Sequence, residues 1–444
     1  MEVLVKIAQV VTALSILVLV HELGHFAFAR LFKVRVEKFY LFFDIKFALF
    51  RYKPKNSHTE YGIGWLPLGG YCKISGMIDE SMDTEQMNQP PQPWEFRTKP
   101  AWQRLLMMIG GVMFNVLLAF FLYAMILFTW GEQNLLNRDV KYGIATDSLS
   151  YSMGFRNGDK ILMLDNQSAA DIGFYELQLE MIREQVKTVT VERDGKQLVI
   201  PMGGDYLKDM LNTPGMFEPM LPFVVGQIPD DSPNFESGLL AGDCITQIDT
   251  IPVEFFQSAR SILASYKGQT IPLQVLRNDF RLTIPVKVSE AGLLGIAIEG
   301  RLNQYFNLTT YKYGFFESFP AGISKAYTTI ANYLKELKLI FTPRTEAYKG
   351  VGSFITIGKI FPGTWDWHAF WSLTALLSIM LAVINLLPIP ALDGGHVIFL
   401  LYEMVTRRKP SDKFLEYAQV TGLFILLFIM VYAISNDIFR HLLN

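Results

Sequence analysis

The sequence predicts a multi-pass α-helical membrane protein with four transmembrane helices and a duplicated α+β region inserted between the second and third. Three observations predict it. Four apolar stretches, 5–29, 105–130, 368–388 and 416–434, each reach the roughly 20 residues needed to cross a bilayer. Residues 116–130 and 417–434 carry no charge at all. Between the second and third stretches, a segment repeats itself at a fixed offset of 84 residues.

Composition fits this class. Half of the 444 residues are apolar and only 18% are charged, against about a quarter in an ordinary soluble domain. With 40 Lys+Arg and 42 Asp+Glu the net charge is −2, so the basic excess of a nucleic-acid binder is missing. Two cysteines, Cys72 and Cys244, make no disulfide framework.

Taken in order, the segments are the first span (1–30), a loop (31–103), the second span (104–130), two repeat modules (131–220 and 221–310), an amphipathic linker (311–367), the third span (368–388), a loop (389–415) and the fourth span (416–436). The first span is followed by Arg30, Lys33 and Arg35 instead of a small-residue cleavage site, so it reads as retained. Residues 30–104 hold 12 Lys/Arg against 8 Asp/Glu, and the last loop holds Arg407, Arg408, Lys409 and Lys413. The positive-inside rule places both loops in the cytoplasm, and both termini and the long 131–367 segment outside. Trp130, Trp365, Trp367 and Trp371 then fall at the outer interface, where an aromatic belt is expected.

Residues 153–165 (MGFRNGDKILMLD) align with 237–249 (SGLLAGDCITQID), and Arg193 with Arg277. A repeat of this length is a duplicated domain, since solenoid units run about 20–50 residues. The Gly-Asp turn leading into an alternating strand resembles PDZ domains, giving a tandem of PDZ-like α+β domains on the outer side. Such domains capture extended peptides by strand addition, often with a terminal carboxylate in a backbone nest. Leu294-Gly295-Ile296 fits an apolar-Gly-apolar carboxylate loop, and its counterpart Met210-Leu211-Asn212 does not. Only the second copy is expected to hold a chain end; the alternative is that both copies exclude by size. Beyond them, Ile323, Tyr327, Ile330, Leu334, Leu337 and Phe341 recur at helical spacing. They predict an amphipathic helix on the outer membrane surface, against the PDZ pair, or packed inside the outer domain.

The chemistry lies in the first span. His21-Glu22-Leu23-Gly24-His25 is an H-E-x-x-H motif. Residues i and i+4 share a helix face, so both imidazoles reach one zinc ion. Glu22 sits about 100° further round, within reach of a water beside the metal. Two imidazoles and a carboxylate inside hydrocarbon cost several kcal/mol unless paired or ligated. Zinc needs a third protein ligand. Glu37 and Asp44 lie beyond the span, whereas Asp393, in Asn385-Leu-Leu-Pro-Ile-Pro-Ala-Leu-Asp393-Gly394-Gly395-His396, stands at the matching inner depth. Its two prolines break the helix, and broken backbone at that depth must line a protein cavity.

The H-E-x-x-H motif, the N-x-x-P-x-P-x-x-D-G motif and the intervening tandem together resemble the site-2 protease family, most closely its bacterial branch regulating the sigma-E stress response. The resemblance covers essentially the whole chain. It implies a zinc metalloprotease with one Zn2+ on His21, His25 and Asp393, Glu22 as base and Asn385 on the substrate backbone. Residues 61–77, with Gly62, Gly64, Trp65, Gly69 and Gly70, resemble the family's membrane-dipping β-hairpin, whose edge pairs with substrate. Gly110, Gly111 and Asn115 resemble its second-span motif, which otherwise reads as helix-packing residues. His396 reads as structural. The resemblance further implies a bacterial inner-membrane location. It also implies single-span membrane substrates cut after a first extracytoplasmic cleavage, with anti-sigma factors and signal-peptide remnants as the classes. The alternatives are a non-catalytic PDZ scaffold and an intramembrane metal transporter.

Overall fold

The computed structural model describes residues 2–77, 89–203 and 206–442. The chain forms two compact units, one of Met1–Gly131, Lys312–Phe341 and Tyr348–Asn444, the other of Glu132–Tyr311 and Thr342–Ala347.

Among the described residues, the first unit contains four helices long and apolar enough to cross a membrane: α1 (Glu2–Leu31), α2 (Ala101–Trp130), α5 (Trp367–Asn385) and α7 (Asp412–Leu442). Helices cannot be driven together in lipid by the hydrophobic effect, so close approach of small residues has to do it. That is how α1 meets α2. A Cβ on Gly24 would lie 2.1 Å from the Gly110 carbonyl oxygen, and one on Gly110 2.7 Å from the Gly24 carbonyl oxygen. On its other side α2 packs against α5, with Ala119, Leu122, Tyr123 and Ile126 meeting Ala375 and Ile379. Trp130 lies edge-on to His368, and Trp365, Trp367, Phe370 and Trp371 cluster at the same end of α5.

The expected amphipathic helix is present as α3 (Phe315–Ile340). It belongs to the first unit, not to the interior of the second. Gly322 packs onto Ala124 of α2, where a Cβ would sit 2.6 Å from the Ala124 nitrogen, and Ala326 joins the α2–α5 cluster. A short helix, α4 (Phe354–Ile360), precedes α5.

Two further features differ from expectation. The 389–415 segment is not simply a loop: α6 (Asp393–Thr406) begins at the aspartate itself. Gly394 makes this start feasible, since a Cβ there would lie 2.3 Å from the Leu387 carbonyl oxygen. The Gly-rich β segment is also larger than 61–77. Strand β1 (Val36–Tyr52) pairs with β2 (Glu60–Ile74), and both fold back, so Phe39 is flanked by Cys72 on one side and Tyr61 on the other. Phe42 and Lys46, both at positive φ, bracket the bend in β1. Gly70 of β2 sits against α1, where a Cβ would meet Val18 Cγ1 at 2.6 Å.

The second unit carries two four-stranded antiparallel sheets. One contains β3 (Lys160–Leu164), β4 (Gln167–Ser168), β5 (Thr188–Arg193) and β6 (Lys196–Pro201) in the order β4-β3-β5-β6. The other contains β7 (Cys244–Ile248), β8 (Ile251–Pro252), β9 (Thr270–Arg277) and β10 (Phe280–Lys287) in the order β8-β7-β9-β10. Each is closed by one ion pair between a buried aspartate and a partly exposed arginine. Arg193 grips Asp159 with Nε and Nη2 at 2.7 Å each, and Arg277 grips Asp243 at 2.6 and 2.7 Å. The arginines also donate to the Gly154 and Gly238 carbonyls.

Candidate metal centre

Helix α1 projects His21 and His25 from successive turns of one face, and both are buried. Their Nε2 atoms lie 3.2 Å apart. The start of α6 brings Asp393 Oδ2 to 3.2 Å from His21 Nε2 and 3.4 Å from His25 Nε2. Three ligand atoms bound tetrahedrally to zinc at about 2.0–2.1 Å are separated by about 3.3 Å, which is the triangle observed. Asp393 Oδ2 is buried with no hydrogen-bond partner, as expected of an oxygen aimed at a shared centre rather than at a proton. The site therefore fits a zinc ion.

The surroundings orient the rings. His25 Nδ1 donates to the Met107 carbonyl of α2 at 2.8 Å, which leaves the Nε2 lone pair facing the centre. The Asn115 amide lies 3.3 Å from His21 Nδ1. Gly111 leaves the room the rings occupy: a Cβ there would fall 2.5 Å from His25 Nε2 and 2.6 Å from His21 Cε1. Asn385, at the end of α5, places its amide nitrogen 3.4 Å from His21 Nε2.

The site opens onto a cavity of about 810 Å³ whose walls include Glu22, Gly70, Tyr71, Asp44, His396 and Gln419. The Glu22 carboxylate accepts a hydrogen bond from the Cys72 backbone N–H of β2. Residues 70–74 of β2 thus run beside the H-E-x-x-H helix along the cavity. Of the β-segment residues singled out from sequence, Gly70 faces the site. Gly62 and Gly64 instead pack inside the sheet, against the Tyr40 ring and the Phe43 carbonyl. Trp65 is exposed and donates to the Ile45 carbonyl at 2.7 Å. Gly69 is held beside the Phe43 ring.

Asp44, outside the first span, returns to the cavity wall on β1. It accepts from the Tyr71 hydroxyl at 2.8 Å and from Lys38 Nζ at 3.3 Å. Burial pushes its carboxyl up, but these two donors outweigh it and hold it below the usual range. Burial raises the Tyr71 hydroxyl well above its ordinary value, and donation to Asp44 raises it further. Tyr40 and Phe43 stack on either side of Tyr71. This cluster was invisible in the sequence, because no spacing rule links 38, 44 and 71.

In the second unit, Leu294 is buried and Gly295 takes φ +67 in a turn ahead of the Ala297–Ile298 strand, which pairs with Val225–Gln227. Asn234 Nδ2 donates to the Leu294 carbonyl, while Ile296 packs against the copy's core. Met210-Leu211-Asn212, 84 residues earlier, lie in the helix Tyr206–Asn212, so the offset does not hold here: the first copy's own turn is at Gly215, φ +78, ahead of the Phe217–Pro219 strand, which pairs with Ile144–Thr146.

Chemistry of this kind, carried on helices able to cross a membrane, is that of the membrane-embedded metalloproteases. Peptidase family M50 matches residues 9–429, and the chain belongs to that family. It is a zinc metalloprotease. Relatives extend over almost the whole length. A Campylobacter jejuni protein whose name proposes a zinc metalloprotease is 28% identical, covering 98% of this chain and 94% of the relative. The regulator of sigma-E protease RseP of Escherichia coli K12 is 26% identical over 98% of each chain. The regulator of sigma E protease of Haemophilus influenzae is 26% identical over 98% of this chain and 99% of the relative.

Proposed function

We propose that the chain is an intramembrane protease that hydrolyses a peptide bond within the membrane segment of single-span proteins, with His21, His25 and Asp393 holding one zinc ion. The observation that carries this reading is the triangle of two Nε2 atoms and one carboxylate oxygen, with edges of 3.2, 3.2 and 3.4 Å, set between apolar helices.

Zinc, when bound, supplies Lewis acidity to water and to the scissile carbonyl. The protein's own groups do the rest. Glu22, in the cavity beside the three ligands, takes the proton from the attacking water and hands it to the leaving amine. A peptide bond in a helix is shielded by its own hydrogen bonds, so the substrate must unwind first. Residues 70–74 of β2, lying along the cavity, offer a strand for the unwound stretch to join. Asn385, its amide within 3.4 Å of His21, is placed to hold the substrate backbone at the cut.

The 131–220 and 221–310 modules are read as PDZ-like domains on the extracytoplasmic face, with both termini on that side and the metal toward the cytoplasm. They exclude substrates with bulky outer domains, so this cut follows an earlier one outside. The Leu294-Gly295-Ile296 turn is the carboxylate loop, with Gly295 in the left-handed conformation such a nest uses. Because relatives are named as regulators of sigma-E, an anti-sigma factor is the first substrate to try, and signal-peptide remnants the second. The setting is a bacterial inner membrane.

The test is zinc content and cleavage of a purified single-span substrate in proteoliposomes. Glu22→Gln keeps zinc and loses cleavage by at least about 10³-fold; Asp393→Asn loses both. Wild-type cleavage by Glu22→Gln would overturn the assignment, as would zinc flux into the vesicles without any cleavage.

A further inference from the structure

Helix α2 presents one stripe to the two imidazoles. Met107, Gly111 and Asn115 are spaced four residues apart and therefore share a face. Gly111 at the centre leaves space for the rings. Met107 serves His25: its carbonyl accepts from Nδ1 at 2.8 Å. Asn115 stands in the equivalent place for His21, fully buried, with an amide nitrogen 3.3 Å from Nδ1.

That orientation conflicts with the chemistry. His21 Nε2 faces His25 Nε2 and Asp393 Oδ2, so a ligating His21 is neutral and carries its proton on Nδ1. An N–H then meets an NH2, two donors facing each other. At the same time Asn115 Oδ1 is buried with no partner. The two ends of an amide are nearly the same size, and their assignment follows from the hydrogen bonds they make. Turning the amide over gives the Nδ1 proton an acceptor and gives the orphaned oxygen a donor in one move.

We infer that Asn115 is the positioning residue for His21: its Oδ1 accepts the Nδ1 proton, fixing the tautomer whose Nε2 lone pair faces the metal. The inference rests on the zinc reading above. Each imidazole is then held from α2 by one oxygen, a backbone carbonyl for His25 and a side-chain amide for His21. The second of these can be changed by mutation.

The experiment measures zinc affinity of the full-length protein in detergent by competition with a chromogenic chelator, alongside the visible spectrum of the cobalt-substituted protein. Asn115→Leu keeps the volume and removes the acceptor; affinity falls about 10–100-fold, the cost of losing such a ligand-orienting partner. Asn115→Asp keeps the acceptor and restores affinity to within about threefold of wild type, with an unchanged cobalt spectrum. Equal losses in the two variants would mean that Asn115 only packs the helices and would overturn the inference, as would wild-type affinity in Asn115→Leu. Asp393→Asn is the control for the underlying reading. If it too binds zinc normally, the metal assignment fails; if it loses zinc while Asn115→Leu does not, only the Asn115 inference fails.

Discussion

The α1–α2 crossing and the duplicated unit solve the burial of polar groups in opposite ways. In the duplicated unit the same device appears twice: Asp159 with Arg193 and Asp243 with Arg277, each carboxylate also accepting a backbone N–H, from Arg156 and Leu240. The device belongs to the fold, because it recurs wherever the fold recurs. At the crossing nothing repeats. His25 has Met107, His21 has Asn115, and the space for both rings is the missing side chain of one glycine. Such a site has no redundancy. One methyl group there should cost more function than the loss of a whole ion pair in the other unit, although it removes no polar contact.

The largest effect expected is therefore from Gly111→Ala. The new Cβ would fall 2.5 Å from His25 Nε2, far inside van der Waals contact, so both rings must shift off the shared centre. Overpacking of this kind costs about 1–3 kcal/mol of stability, which a bundle of four long helices can absorb. Metal analysis of the purified variant should show zinc occupancy reduced at least about tenfold, while circular dichroism keeps the wild-type helix signal. Full zinc content in Gly111→Ala would erase the contrast between the two regions.

The converse lesion is smaller and of a different kind. Asp243→Asn leaves Arg277 facing a weaker acceptor at a buried position, and Asp159→Asn does the same to Arg193. Breaking a fully buried pair costs about 3–5 kcal/mol. Both arginines are about a quarter exposed, at 26 and 27%, so the expected loss for each lies well below that of a fully buried pair. Thermal unfolding should register the two lesions as nearly equal and additive to within about 0.5 kcal/mol, with zinc content unchanged. Unequal losses would show that the copies have diverged in their use of the clamp.

What the sequence revealed follows the same division. His21, Glu22 and His25 could be read because hydrocarbon makes every ionisable group conspicuous and a helix fixes which residues share a face, and Asp393, beyond the third predicted span, through the prolines that break that span at the matching depth. The 84-residue repeat could be read because a turn signature recurs with its flanking strand. Strand β1 could not: VEKFYLFFDIKFALFRY mixes charges into an apolar run with neither period, and it forms a strand only because β2 comes back to pair with it. Helix α6 was hidden by Gly394 and Gly395 in its first turn, which lower helix propensity while permitting tight approaches to Leu386 and Leu387 and to Ile389 and Pro390 respectively. For α3 the periodicity gave the helix but not its partner, since a spacing shows which face is apolar and not what covers it. Asn115 stood in the second-span motif the chain resembles, but its spacing alone read as helix packing; its distance to Nδ1 gives it a partner.

The smallest expected effect separates the two copies themselves. Glu299 accepts from Arg301 Nε at 2.8 Å, Nη2 at 2.7 Å and the backbone N–H at 3.0 Å. These donors, the guanidinium first, hold its carboxyl down at about 2. In the first copy the residue making the same backbone contact is Met220, which donates to the Gly143 carbonyl as Glu299 donates to that of Val224, and it carries no carboxylate. A depressed folded value contributes stability above the ordinary glutamate range, near pH 4.3, and that stability is lost as pH falls toward 2. The pair is at the surface, so the contribution is small and screened by salt. Between pH 5 and pH 3, Glu299→Gln should therefore flatten the acid-induced fall in melting temperature by a degree or two at low salt, and by less at 0.5 M salt. An acid profile identical to wild type would mean that the carboxylate of Glu299 contributes nothing.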